Sequence, residues 1–189
     1  MMFGINPGSD QTWLRIKNKS VGAELGVWKG DSSAKFLNVA SHVHLVDPWS
    51  VQPYLENDEV DKDRYFTRYK ELVGSSNPQD FQTYYDDIYE SVVKRFENKP
   101  VTIHRMTTTD WFKTFEEKLD WIYVDARHDT PGVYEDLMNS INVLKKGGVI
   151  YGDDYSFAKY AVRQGVDKFI KETGLTLNNF HQDQYEIII

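Results

Sequence analysis

Short apolar runs alternate with longer mixed stretches along this chain. Val21–Val27 is apolar apart from Glu24 and closes on a glycine turn, which predicts a buried strand. Val43–Val46, Val101–His104, Trp121–Val124 and Val149–Tyr151 repeat that signature. Two β-prone segments, near 175–180 and 184–189, end the chain. Between the strands the period lengthens. Segments 34–40, 59–72, 131–144 and about 157–173 read as helices. Segment 80–97 places Tyr84, Ile88, Val92 and Phe96 four apart on one stripe, the mark of an amphipathic helix. Asp31-Ser32-Ser33 and Thr109-Asp110 are candidate helix caps, the second for a short helix to about Lys118. Lys145 to Gly148 and Gly174 read as helix stops. Residues 1–20 form an arm or short helix, and 50–80 a polar insertion that could cover a substrate.

This alternation predicts a single α/β domain: a Rossmann-like, doubly wound and mostly parallel sheet, an antiparallel C-terminal strand, and helices on both faces. In such sheets a ligand lies beyond the carboxyl ends of the strands. The residues just after each strand are therefore the ones to read for chemistry.

Composition narrows the classes. The formal charge is −7, with no cluster of Lys and Arg, so no basic face for nucleic acid is expected. The chain has no cysteine, which excludes thiolate metal sites and a cysteine nucleophile. No signal peptide is apparent at the N-terminus and no apolar stretch is long enough for a bilayer, so a cytoplasmic protein without a membrane partner is expected. Homo-oligomerisation is left open.

Five strand ends carry special residues. The first offers Glu24, Gly26 and Gly30. Glycine lets backbone approach a ligand closely, although G-x-x-x-G alone would equally suit a plain tight turn. The second offers Asp47, 21 positions after Gly26, near the spacing at which an acid receives ribose hydroxyls. The third offers Met106, Thr107 and Thr108. The fourth offers Asp125 and His128, and the fifth Asp153 and Asp154. Adjacent like charges at Asp153 and Asp154 repel, and a divalent cation with oxygen ligands would relieve them; a pair of loop acids is the plainer alternative. His128 can take a proton from a hydroxyl if it shares an edge with Asp125; an ordinary surface histidine is the other reading.

Taken together, these motifs resemble class I S-adenosylmethionine-dependent methyltransferases. Glu24-Leu-Gly26-Val-Trp-Lys-Gly30 resembles the turn that holds the amino acid part of the cofactor, and Val46-Asp47-Pro48-Trp49 the ribose-binding acid. Met106 to Thr108 matches the region that contacts adenine. The D-x-x-H element at Asp125–His128, the Leu144–Gly148 turn and Gly152-Asp-Asp-Tyr155 resemble a subgroup of metal-dependent small-molecule and sugar O-methyltransferases. The likeness spans about residues 20–173.

The resemblance implies cofactor contacts from Glu24, Gly26, Val27, Gly30, Ser32, Asp47, Trp49, Met106, Thr107, Thr108 and Asp125. It implies a magnesium-like ion, Mg2+, on Asp125, Asp153 and Asp154, with His128 and Asp125 in the catalytic role. The expected reaction transfers methyl from S-adenosyl-L-methionine to a hydroxyl of a sugar or other small polar acceptor. Two alternatives stand beside it: an NAD(P)-type oxidoreductase, disfavoured because the turn is not G-x-G-x-x-G, and a catalytically silent nucleotide-binding or scaffold domain.

Overall fold

The computed structural model describes residues 9–51, 62–156, 161–181 and 183–189. The first part of the expected arm, residues 52–61 of the 50–80 insertion and residues 157–160 of the expected last helix lie outside these.

Seven strands form one sheet. They are β1 (Val21–Leu25), β2 (His42–Asp47), β3 (Val101–Arg105), β4 (Leu119–Val124), β5 (Leu144–Gly152), β6 (Leu177–His181) and β7 (Gln184–Ile188). Their order across the sheet is β3-β2-β1-β4-β5-β7-β6. The four pairings from β3 to β5 are parallel, and β7 runs antiparallel to both β5 and β6. The mostly parallel sheet and its antiparallel C-terminal strand are as the alternation predicted. The order reverses at β1, whose neighbours are β2 and β4. That reversal is the topological switch point where such sheets open a crevice.

The described helices are α1 (Ser9–Thr12), α2 (Asp31–Phe36), α3 (Lys62–Val73), α4 (Pro78–Arg95), α5 (Thr108–Thr114), α6 (Thr130–Val143) and α7 (Ala161–Thr173). Side chains that alternate across the strands feed two cores. Trp121 and Tyr123 of β4 join Phe36 of α2 and Tyr85, Ile88 and Val92 of α4 on one face. Ile122 and Val124 join Trp111 of α5, Leu137 of α6 and Phe169 of α7 on the other. Burying a large apolar side chain contributes roughly 1.5–3 kcal/mol, so two continuous layers hold the strand ends rigidly.

Several boundaries moved for local reasons. Helix α2 begins at Asp31 with Gly30 as its cap, in the left-handed region and without a side-chain bond, so the Asp31–Ser33 cap is not used. Helix α5 is capped by the Thr107 hydroxyl, which accepts from the Asp110 amide at 3.1 Å; Thr109 and Asp110 already lie inside it. On α4 the inward stripe is Phe81, Tyr85, Ile88, Val92 and Phe96, whereas Tyr84 is only half-buried. A period of 3.6 drifts from a strict four-residue stripe, which explains the exchange. The expected stop at Lys145–Gly148 is part of β5. Gly147 donates to the Ile189 carbonyl at 2.8 Å, and Ile189 donates back to Gly148 at 2.9 Å, so the C-terminus draws this segment into the sheet.

Candidate active site

The glycine turn sits on the switch point. Gly26 has φ +88, and a Cβ there would lie 2.1 Å from the Asp125 carbonyl oxygen. Glycine is required twice over, for the dihedral and for the close approach of two strand ends. The approach is tied on both sides: Gly26 donates to the Val46 carbonyl and Asp125 donates to the Leu25 carbonyl.

Asp47 holds this turn from below. Its Oδ2 accepts from the amides of Val27 and Trp28 at 2.9 and 3.0 Å, and its Oδ1 from the Trp49 amide at 2.7 Å. Burial pushes its pKa up, and the three amide bonds work against that rise. The carboxylate expected to meet ribose hydroxyls thus spends much of its accepting capacity on its own chain. Glu24 is still deeper, 1% exposed, and accepts the Ser33 hydroxyl at Oε2. Burial raises its pKa well above the usual carboxylate range, and that hydroxyl only partly counters it. Glu24 therefore lies beneath the turn and is served by the Ser33 hydroxyl. Ser32 is half-buried on the same turn of helix.

Trp49 is a correction. Its side chain is fully buried and packs on Tyr89, and its indole N–H donates to the Trp28 carbonyl at 2.8 Å. A ring with no exposed surface braces the turn from within the core. Trp28 takes the exposed position at 41%, with φ +48 and the Lys29 ammonium 4.5 Å from its ring centroid. Val27 is buried and Gly30, at φ +76, packs against Phe96. At the end of β3, Met106 is half-buried, Thr107 is spent on its cap and Thr108 is 4% exposed.

The other half of the edge is built differently. His128 Nε2 lies 2.9 Å from Asp154 Oδ2 and 3.4 Å from Asp125 Oδ1. Ligand atoms of Asp125, His128 and Asp154 all fall within 4.8 Å of one another, the only such group of three among the described residues. The expected trio of Asp125, Asp153 and Asp154 does not converge. Asp153 is 3% exposed, and its Oδ2 accepts the Tyr123 hydroxyl at 3.1 Å while its Oδ1 accepts the Asp154 amide at 2.9 Å. Asp154 itself has φ +61. Among the described residues, three of the five non-glycine residues with positive φ, namely Trp28, Trp49 and Asp154, lie at these strand ends, where strain is held by surrounding bonds.

The charges in this group shift one another. Burial lifts Asp125 to about 6, even though His128 pulls it down. Burial alone would lower His128, but its bonds to Asp125 and Asp154 outweigh that and raise it to about 10. His128 is thus an imidazolium at neutral pH in this arrangement, where a proton acceptor had been expected. Asp136 on α6 is fully buried and raised to about 7 by burial. Its two oxygens have no hydrogen bond of acceptable geometry, and the Thr108 hydroxyl and Arg127 only partly relieve it.

Ser33, Tyr123, Gln184 and Trp28 were not singled out from the sequence. The exposed aromatic inside the glycine turn was a usable signal for Trp28. Tyr123 and Gln184 meet across 61 positions and left no local sign.

Residues 23–155 match the family model described as a methyltransferase domain. No curated protein matches the chain. Among solved structures, the O-methyltransferase TomG of Streptomyces achromogenes, determined with S-adenosylmethionine, shares 14% identity at a TM-score of 0.62; the match covers 97% of this chain and 79% of that one. A putative rRNA methylase from Clostridium thermocellum shares 10% at a TM-score of 0.61, over 100% of this chain and 95% of its own. An O-methyltransferase from Bacillus cereus, determined with the demethylated product cofactor, shares 14% at 0.59, over 100% and 84%. At these identities the likeness is one of fold. No helix among the described residues is long and apolar enough to cross a membrane.

Proposed function

We propose, from the premise that this chain belongs to the methyltransferase-domain family of class I S-adenosylmethionine-dependent enzymes, that it methylates a hydroxyl oxygen of a sugar or other small polar molecule. The observation that carries this reading is the convergence of Asp125, His128 and Asp154 on the strand-end edge that also bears the Gly26 turn. One half suits a nucleoside cofactor and the other suits a hydroxyl whose proton must leave. TomG and the Bacillus cereus enzyme, both named as O-methyltransferases, lend support. The rRNA methylase shares the fold, but the charge of −7 favours a small acceptor over a polyanion.

In the proposed reaction the acceptor oxygen attacks the sulfonium methyl in line. A C–O bond forms, the S–CH3 bond breaks, and its electron pair stays on sulfur as the neutral thioether. The protein has to align and desolvate, because the cofactor carries the reactive group. Gly26, Val27 and Gly30 bring backbone up to the cofactor, and Asp47 holds that turn in shape. Asp125 and Asp154 accept the acceptor hydroxyl's hydrogen bond, and His128 takes the proton when it enters the cycle neutral.

Two carboxylates and an imidazole within this reach also fit a divalent cation. When bound, such an ion lowers the pKa of a coordinated hydroxyl. Asp125, His128 and Asp154 would hold it; His128 would then be a ligand, and the polarised hydroxyl would lose its proton to solvent instead.

Calorimetry with S-adenosylmethionine, its demethylated product and NAD tests the cofactor half. Binding of the two sulfur compounds without NAD is expected. Failure of both at millimolar concentration would overturn the reading, and binding of NAD alone would replace it with the oxidoreductase.

A further inference from the structure

A buried chain of hydrogen bonds runs from the N-terminal helix, across the sheet, to the strand-end acids. The Thr12 hydroxyl donates to Gln184 Oε1 at 2.6 Å. The Gln184 amide donates to the Tyr123 hydroxyl at 3.2 Å. The Tyr123 hydroxyl donates to Asp153 Oδ2 at 3.1 Å. Thr12, Gln184 and Tyr123 have no exposed surface, and Asp153 has 3%. The order of donors is one-way. Because Thr12 occupies the amide oxygen, Gln184 presents its N–H to Tyr123. Because Tyr123 accepts there, its own proton goes to Asp153. Buried hydrogen bonds of this kind reinforce one another, and losing one leaves a neighbour unsatisfied. The far end is anchored as well. Arg15 pairs with Glu186 through two bonds of 2.7 and 2.5 Å, and its carbonyl accepts the Tyr151 hydroxyl at 3.0 Å. The arm is therefore docked on β5 and β7 beside Gln184.

We infer that Thr12, Gln184 and Tyr123 are positioning residues that hold the Asp153 carboxylate inward and leave Asp125, His128 and Asp154 as a mixed oxygen-and-nitrogen donor set for a divalent cation. This rests on the reading of that group as a cation site. It carries a consequence for the ion. Three carboxylates would suit magnesium, whereas an imidazole with two carboxylates favours manganese, iron or zinc. Outer partners of this sort alter metal affinity by roughly 10–100-fold.

The test titrates the full chain with Mn2+ alone, counting free ion by electron paramagnetic resonance, and then competes it with Mg2+. The parent is expected to bind Mn2+ and to yield it poorly to Mg2+. Tyr123→Phe, which removes the Tyr123 hydrogen bond from Asp153 Oδ2, is expected to improve Mg2+ competition about tenfold, and adding Asp153→Asn should reverse that gain. Thr12→Val, at the remote end, should shift the preference the same way by less. Should Tyr123→Phe not fold by circular dichroism, Gln184→Met carries the comparison. An unchanged preference in folded Tyr123→Phe, with Mn2+ still bound by the parent, would overturn the positioning role alone. No Mn2+ binding by either protein would overturn the cation reading and the inference with it.

Discussion

The two halves of the strand-end edge use the same residue type in opposite ways. Around β1 and β2, Glu24 and Asp47 direct their oxygens to their own chain: one takes the Ser33 hydroxyl, the other three backbone amides. Around β4 and β5, Asp125 and Asp154 share one imidazole whose side chain is still 47% exposed. The first half directs much of its accepting capacity to shaping its own turn. The second keeps charge available to whatever approaches. An acid at a strand end is therefore not evidence of ligand contact until its partners are counted.

The largest expected break in this contrast is Gly26→Ala. The new methyl would meet the Asp125 carbonyl in a backbone conformation that disfavours it, so stability should fall by about 3 kcal/mol or more. Thermal melts check this, and a change within 0.5 kcal/mol would show that the strand ends can part.

His128→Ala probes the other half. Turnover should fall by about 10²-fold or more with cofactor affinity nearly unchanged. Since bonding to Asp125 and Asp154 raises the imidazole to about 10, the neutral form grows with pH. With divalent cations removed, parental turnover should therefore climb from neutral pH toward that value, and the climb should vanish in the variant. A flat parental profile would remove His128 as the proton acceptor.

Asp47→Asn sharpens the scaffold side. An amide offers one accepting oxygen and turns an N–H toward an amide donor, at a cost of roughly 1–3 kcal/mol. Affinity for the demethylated cofactor should drop with the turn's order. Full affinity at unchanged stability would mean that the three amide bonds are dispensable.

A pH-dependent effect concerns Asp136, fully buried on α6. Its pKa is raised from 3.8 to about 7, so the folded form holds a proton that the unfolded chain releases between those values. Its contribution is present below pH 4 and is lost as pH rises through 7. Asp136→Asn should flatten that decline in chemical denaturation at pH 5 and pH 8. An unaltered slope would assign the pH dependence elsewhere.

Much of this was legible along the chain. Every strand expected from an apolar run is present, because strand burial writes itself into consecutive residues. Gly26, Asp47, Asp125 and Asp154 were singled out because chain geometry puts functional groups just past strands. Three roles went unseen for a shared reason. Trp49 reads as an available aromatic until its indole meets the Trp28 carbonyl. Ser32 and Ser33 are equivalent in sequence until helix phase aims one at Glu24. Asp153 and Asp154 are neighbours whose side chains separate only because one residue adopts φ +61 and the other finds Tyr123.

The sequence by itself thus determined the α/β alternation, the strand-end positions and the methyltransferase family. The first two depend on short-range periodicity and spacing, which one stretch of chain carries alone; the family rests on the resemblance of those motifs to known methyltransferases. Which carboxylates face outward was decided by tertiary structure. That choice depends on partners such as Gln184 and Thr12, 61 and 111 positions from Tyr123, and only the assembled sheet brings them within hydrogen-bond reach.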